Sequence, residues 1–186
     1  MSLVELIAQA DERGLAASGL ACLDRCVPLL GGDDEILRPL WASLADSGTG
    51  DWEAGLKVAR DKLAGAGSAD AAEDEAVDHA RRMLDAAPAA LDAAEVRVWA
   101  DVCSVASLRI HRLLDPAADD VPLDARREGR TEGMPPLVAA ELRRQVTVLE
   151  VLAGHGPAGL RRALEVSVEG RRVLRAVVSR RARGTR

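Results

Sequence analysis

Three cysteines and three histidines are the side chains best able to do chemistry in this 186-residue chain. Cys22 and Cys26 stand four apart, which on a helix projects both thiols from one face. A thiolate pair can begin a zinc site, but such a site closes with four ligands, and no second Cys pair follows. Cys103 is isolated in an apolar stretch. Asp24 and Arg25 give the first pair no net positive charge to stabilise a thiolate, so all three are expected to be small apolar core residues.

Glu75 with His79, and His111 with Asp115, are spaced to meet on one helix face. Carboxylate–histidine pairs from two helices are the raw material of bundle metal sites, although di-iron bundles set Glu and His three apart. No pair of histidines brackets a Glu as in zinc proteases. The spacing therefore favours exposed ion pairs or helix capping. Ser107, His111 and Asp115 carry the side chains of a nucleophilic triad, but a straight helix sends them outward in parallel instead of onto one reacting atom. Ser104 and Ser107 read as helix contacts or bonds to their own backbone. Gly48, Gly50 and Gly55 lack the Lys-Ser/Thr pair of a phosphate loop. The acidic run Asp70, Glu73, Asp74, Glu75 and Asp78 complements the N-terminal end of a helix dipole and has no matching second run to hold a metal. No cofactor, metal or catalytic residue is expected.

The most distinctive chemistry is charge. The chain carries a net charge of −5, yet residues 157–186 hold nine Arg against Glu165 and Glu169. That segment is at +7, leaving −12 on the rest. Arg161, Glu165, Glu169 and Arg172 pair along one helix row, whereas Arg171, Arg175, Arg180, Arg181, Arg183 and Arg186 have no local partner. Such a surplus suits the chain's own acidic body, a second copy, an acidic protein partner, or nucleic acid. Nucleic acid is the least favoured, because no aromatic or Asn/Gln cluster accompanies the arginines for stacking or base readout.

Helices must position these groups. The chain has no Phe or Tyr and only Trp41, Trp52 and Trp99, so its core has to be filled by Leu, Val, Ile and close Ala contacts. Apolar residues recur at helical spacing between breakers. Ser2 caps a first helix to about Arg13, ended by Gly14; a second runs from Leu15 to Pro28; a third passes through Trp41, with its start near Arg38 because of Pro39. Ser47-Gly48-Thr49-Gly50 is a turn, Asp51 caps a fourth helix, Gly65 to Gly67 is a loop, and Ser68 opens a fifth. A wide stripe through Val98, Trp99, Val102, Cys103, Ala106 and Ile110 marks Leu91–Leu114 as the central, most buried helix. A shift of 36 superposes Gly14 on Gly50, Gly19 on Gly55 and Leu20 on Leu56, but no third unit follows and no repeat is assigned.

The expected fold is all-α: a bundle of seven to eight helices with a C-terminal helical hairpin. Residues 1–115 form the body with its central helix at 91–115, residues 116–136 a charged loop rich in Pro and Gly, and residues 137–186 the hairpin with its basic tail, packed on the body as one domain. No stretch nears the roughly 18 apolar residues of a membrane span, and the N-terminus lacks a signal-peptide pattern, so a cytoplasmic protein without a membrane partner is expected. The preferred function is non-enzymatic, through protein–protein interaction or self-association, with Arg171, Arg175, Arg180 and Arg181 as partner-binding residues. The alternative is a small-molecule-binding bundle, an enzyme or accessory protein, with Trp41, Trp99, Cys103 and His111 lining its pocket.

Overall fold

The computed structural model describes residues 1–45, 51–64 and 71–184. Among these the chain is all-α, with eight helices of seven or more residues and one of five. In order they are α1 (Leu3–Gln9), α2 (Glu12–Cys26), α3 (Arg38–Ala45), α4 (Trp52–Lys62), α5 (Ala71–Asp85), α6 (Ala93–Leu114), the short α7 (Leu123–Arg127), α8 (Pro136–His155) and α9 (Gly159–Gly184). The expected turn at Ser47–Gly50, the loop at Gly65–Gly67 and the helix start at Ser68 lie outside the described residues, as do Asp70 and Arg186.

Side-chain caps set the starts of α1, α2, α4 and α6. Ser2 and Glu5 form a capping box at α1, and Asp51 and Asp92 accept backbone N–H groups at the heads of α4 and α6. The boundary between the first two helices differs from expectation. Asp11 Oδ1 accepts from the Gly14 N–H at 2.7 Å, so α2 begins at Glu12 and Gly14 lies within its first turn. The Asp cap outweighs the helix-breaking tendency of Gly. After α2, a 3₁₀ turn at Val27–Leu30 contains Pro28 and ends on left-handed Gly31. The turn between α8 and α9 passes through Gly156 at φ 51° and ψ −128°, a conformation open to glycine.

The axial helix is α2, which corrects the expectation for Leu91–Leu114. Every residue from Gly14 to Cys26 is buried, whereas α6 leaves Val98 and Val102 66% and 41% exposed. A helix made of Gly, Ala, Ser and Cys between its Leu residues can be enclosed on all sides, because neighbours approach its backbone closely. Gly19 shows this: a Cβ there would stand 2.9 Å from the Trp99 ring of α6. Residues 116–136 also differ from a plain loop. They contain α7, and Arg126 donates to the Arg130 and Glu132 carbonyls, both at 2.8 Å, and pairs with Asp119 at 2.7 Å.

Candidate functional site

The structure gathers the chain's chemistry into a cluster where α2, α6 and α8 meet. Arg25 enters from α2 and reaches Glu141 on α8, with Nε donating at 2.8 Å and a terminal nitrogen at 2.7 Å; both side chains are fully buried. From α6, Ser107 Oγ donates to Glu141 Oε1 at 2.7 Å, and Gln145 Nε2 donates to the same oxygen at 2.9 Å. Ser104 Oγ donates to Gln145 Oε1 at 2.7 Å, and Arg127 of α7 donates to Ser104 and pairs with Asp101. His111 Nδ1 donates to the Ser107 carbonyl at 2.7 Å, which leaves Nε2 facing Glu141 Oε2 at 3.6 Å.

Electrostatics fix the charge states. Burial alone would push the Glu141 carboxyl up, but Arg25, His111 and the Gln145 amide outweigh it and hold it at about 2. Burial drives His111 below the usual imidazole range despite the neighbouring carboxylate. Burial likewise raises Cys22 to about 12 and lifts Cys26 and Cys103, so all three stay thiols. A carboxylate already accepting from Arg25, Ser107 and Gln145 has few lone pairs left for a reacting proton. The arrangement can hold three helices in register.

The surface offers a different feature. Beside Val98 and Val102 lies an open groove of about 510 Å³, walled by Ala86, Pro88, Ala94, Glu95 and one edge of Trp99. A second cleft, of about 380 Å³, separates α1 from the end of α8 and is lined by Met1, Leu6, Leu149 and Leu152 among others.

No family model matches this chain, and neither does any curated protein or solved structure. Among the described residues no three His, Cys, Asp or Glu side chains gather as a metal site, and no helix is long and apolar enough to cross a membrane.

The residues expected to line one pocket are dispersed. Trp41 donates to Asp24 at 3.0 Å, Trp99 donates to the Met83 carbonyl at 2.9 Å and meets Trp52 edge-on, Cys103 is fully buried, and His111 belongs to the Glu141 cluster. The basic residues divide in the same way. Arg171, expected on an exposed face, is buried: it bonds Asp24 of α2 and stands 3.3 Å from Asp34, while Arg175 reaches Asp34 at 2.6 Å. The acidic body is thus their partner, and Leu174 between them is buried too. Arg180 is exposed and Arg181 half-buried near the end of α9.

Glu75 and His79 do meet, at 3.7 Å. His111 and Asp115 do not. Asp115 closes α6 and turns away, its carboxylate accepting from the Ala117 and Leu137 N–H groups and so fixing the head of α8. The residues that reasoning from sequence missed are Glu141 and Gln145. Their signal was present: two polar residues four apart on the face of α8 that also carries Val138, Leu142 and Leu149.

Proposed function

We propose that the protein acts by binding another protein surface, without catalysis, in the cytoplasm. The observation that carries this reading is the outward face of α6, where Val98 and Val102 stand in water beside an apolar groove while the opposite face of the helix, with Val96, Trp99, Cys103 and Ile110, is packed. A continuous apolar strip rimmed by charge is how soluble proteins mark a contact site, whereas single exposed apolar residues such as Val58 are ordinary. The core supports the same reading, since its ionisable groups are engaged with one another and its thiols are inert, as a framework requires. The free, buried cysteines suit a reducing compartment.

Photo-cross-linking tests it. A benzoyl-phenylalanine placed at Val98 should form a discrete higher-mass adduct in cells making the protein, and one placed at Val58 should not. No adduct from Val98, or equal adducts from both positions, would overturn the reading.

A further inference from the structure

We infer that α6 pairs antiparallel with α6 of a second copy of this chain, across a two-fold axis near Val102; this rests on the reading of that face as a protein-binding surface. Ala94, Val98, Val102, Val105 and Arg109 follow one another in steps of three or four within α6, so they form a single ribbon along the helix, and Leu91 precedes it just before the N-cap Asp92. Ala94, Val98, Val102 and Arg109 are exposed, and Leu91 and Val105 are half-buried.

Charge selects the occupant. Glu95 stands on the groove wall and Arg109 at the far end of the ribbon, fourteen residues on, a distance of about 21 Å along the axis. Neither side chain has an ion-pair partner among the described residues. In an antiparallel pair, positions equidistant from the axis on its two sides oppose each other. An axis at Val102 sets Glu95 of each copy, seven residues before it, against Arg109 of the other, seven after, and brings Val98 within one residue of facing Val105, each of these contacts occurring twice. Asp101, close to the axis, already pairs with Arg127 in its own chain and adds no uncompensated charge. An unrelated segment would have to bring a base and an acid at matching separation; a second copy brings both by symmetry.

Sedimentation equilibrium on the purified full chain, from about 1 to 100 µM, tests this. The mass should climb from 19.7 kDa toward twice that value. E95R and R109E should each weaken association by about tenfold, because each turns two attractions into two repulsions, and combining them should restore it to within about threefold. Val102→Glu should abolish association with an unchanged helical spectrum. A single-copy mass at every concentration, or a double variant no better than the singles, would overturn the pairing. A single-copy mass together with a Val98 cross-link to a different protein would sink the self-pairing and leave the protein-binding reading standing; no cross-link and no rise in mass would sink both.

Discussion

Arg25 and Glu141 lie 116 residues apart in the chain and meet through two hydrogen bonds at 2.8 and 2.7 Å, with no solvent exposure on either side chain. Removing one member of such a pair strands a charge in a dry core, which costs about 3–5 kcal/mol, whereas replacing both by apolar groups is often neutral. We expect Arg25→Met to lower stability by about that amount in urea denaturation. Combining it with Glu141→Leu should recover most of the loss. Additive losses in the double variant would show that the pair does not act as a unit.

Acid should loosen the same cluster. His111 is faced by Glu141, Arg25 and Arg144, and burial holds its pKa below the ordinary imidazole value of about 6.5. The unfolded chain therefore takes up a proton before the folded one does, and stability present above about pH 6.5 is lost as pH falls through the folded value. Glu141, depressed from 4.5 to about 2, adds a loss of the same sign in that lower window. Asp24, raised by burial despite Arg171, works in the opposite direction. Melting temperature should fall from pH 7 to pH 5, and His111→Asn should flatten that slope. Part of the slope should survive through His79, which burial also lowers. An unchanged slope in the variant would refute the assignment.

These pairs explain how much could be read in advance. Asp51 and Ser2 announced helix starts because a cap and its recipient are neighbours in sequence. Arg171 looked unpartnered because helical spacing searches three or four residues away, and its carboxylate lies 147 away. The burial of Asp24 and Arg25 was not legible either, since nothing local reveals that Trp41, Arg171 and Glu141 satisfy them. The stripe on α6 was real, but periodicity identifies an apolar face without saying whether a neighbour covers it. Val98 and Val102 are the part left uncovered.

Close backbone approach should make two glycines irreplaceable. A Cβ at Gly19 would meet Trp99 ring atoms at 2.9 Å, and the ring is wedged and hydrogen-bonded. A Cβ at Gly170 would come within 2.3 Å of Arg25 Cδ, and that side chain is pinned by Glu141. Each Gly→Ala change should cost about 1–3 kcal/mol. Gly154, with open space around its Cα in α8, is the control: Ala there should stabilise by about 0.5–1 kcal/mol. Equal effects at all three positions would contradict the packing argument.

The thiols should be silent until the chain opens. Cys22, Cys26 and Cys103 are fully buried and held protonated, Cys22 at about 12. Thiol reagent at pH 8 should leave the native protein essentially unlabelled and react with all three in denaturant. Fast labelling of native protein would place at least one cysteine in an accessible, activated setting.

The two arginines that fasten α9 should differ sharply. Arg175 is 43% exposed and its Asp34 partner 46%, so screening by water and salt limits that pair. Arg175→Ala should cost less than about 1 kcal/mol, and less still at high salt. Arg171 is 5% exposed and Asp24 1%. Arg171→Ala leaves the Asp24 carboxylate buried with the Trp41 indole as its remaining hydrogen-bond donor, a change worth about 3 kcal/mol or more and insensitive to salt. Denaturation at low and high ionic strength separates the two cases. If both variants lost stability equally, or if salt rescued Arg171→Ala, α9 would be held by diffuse attraction between basic tail and acidic body, and the buried bond to Asp24 would not be its anchor.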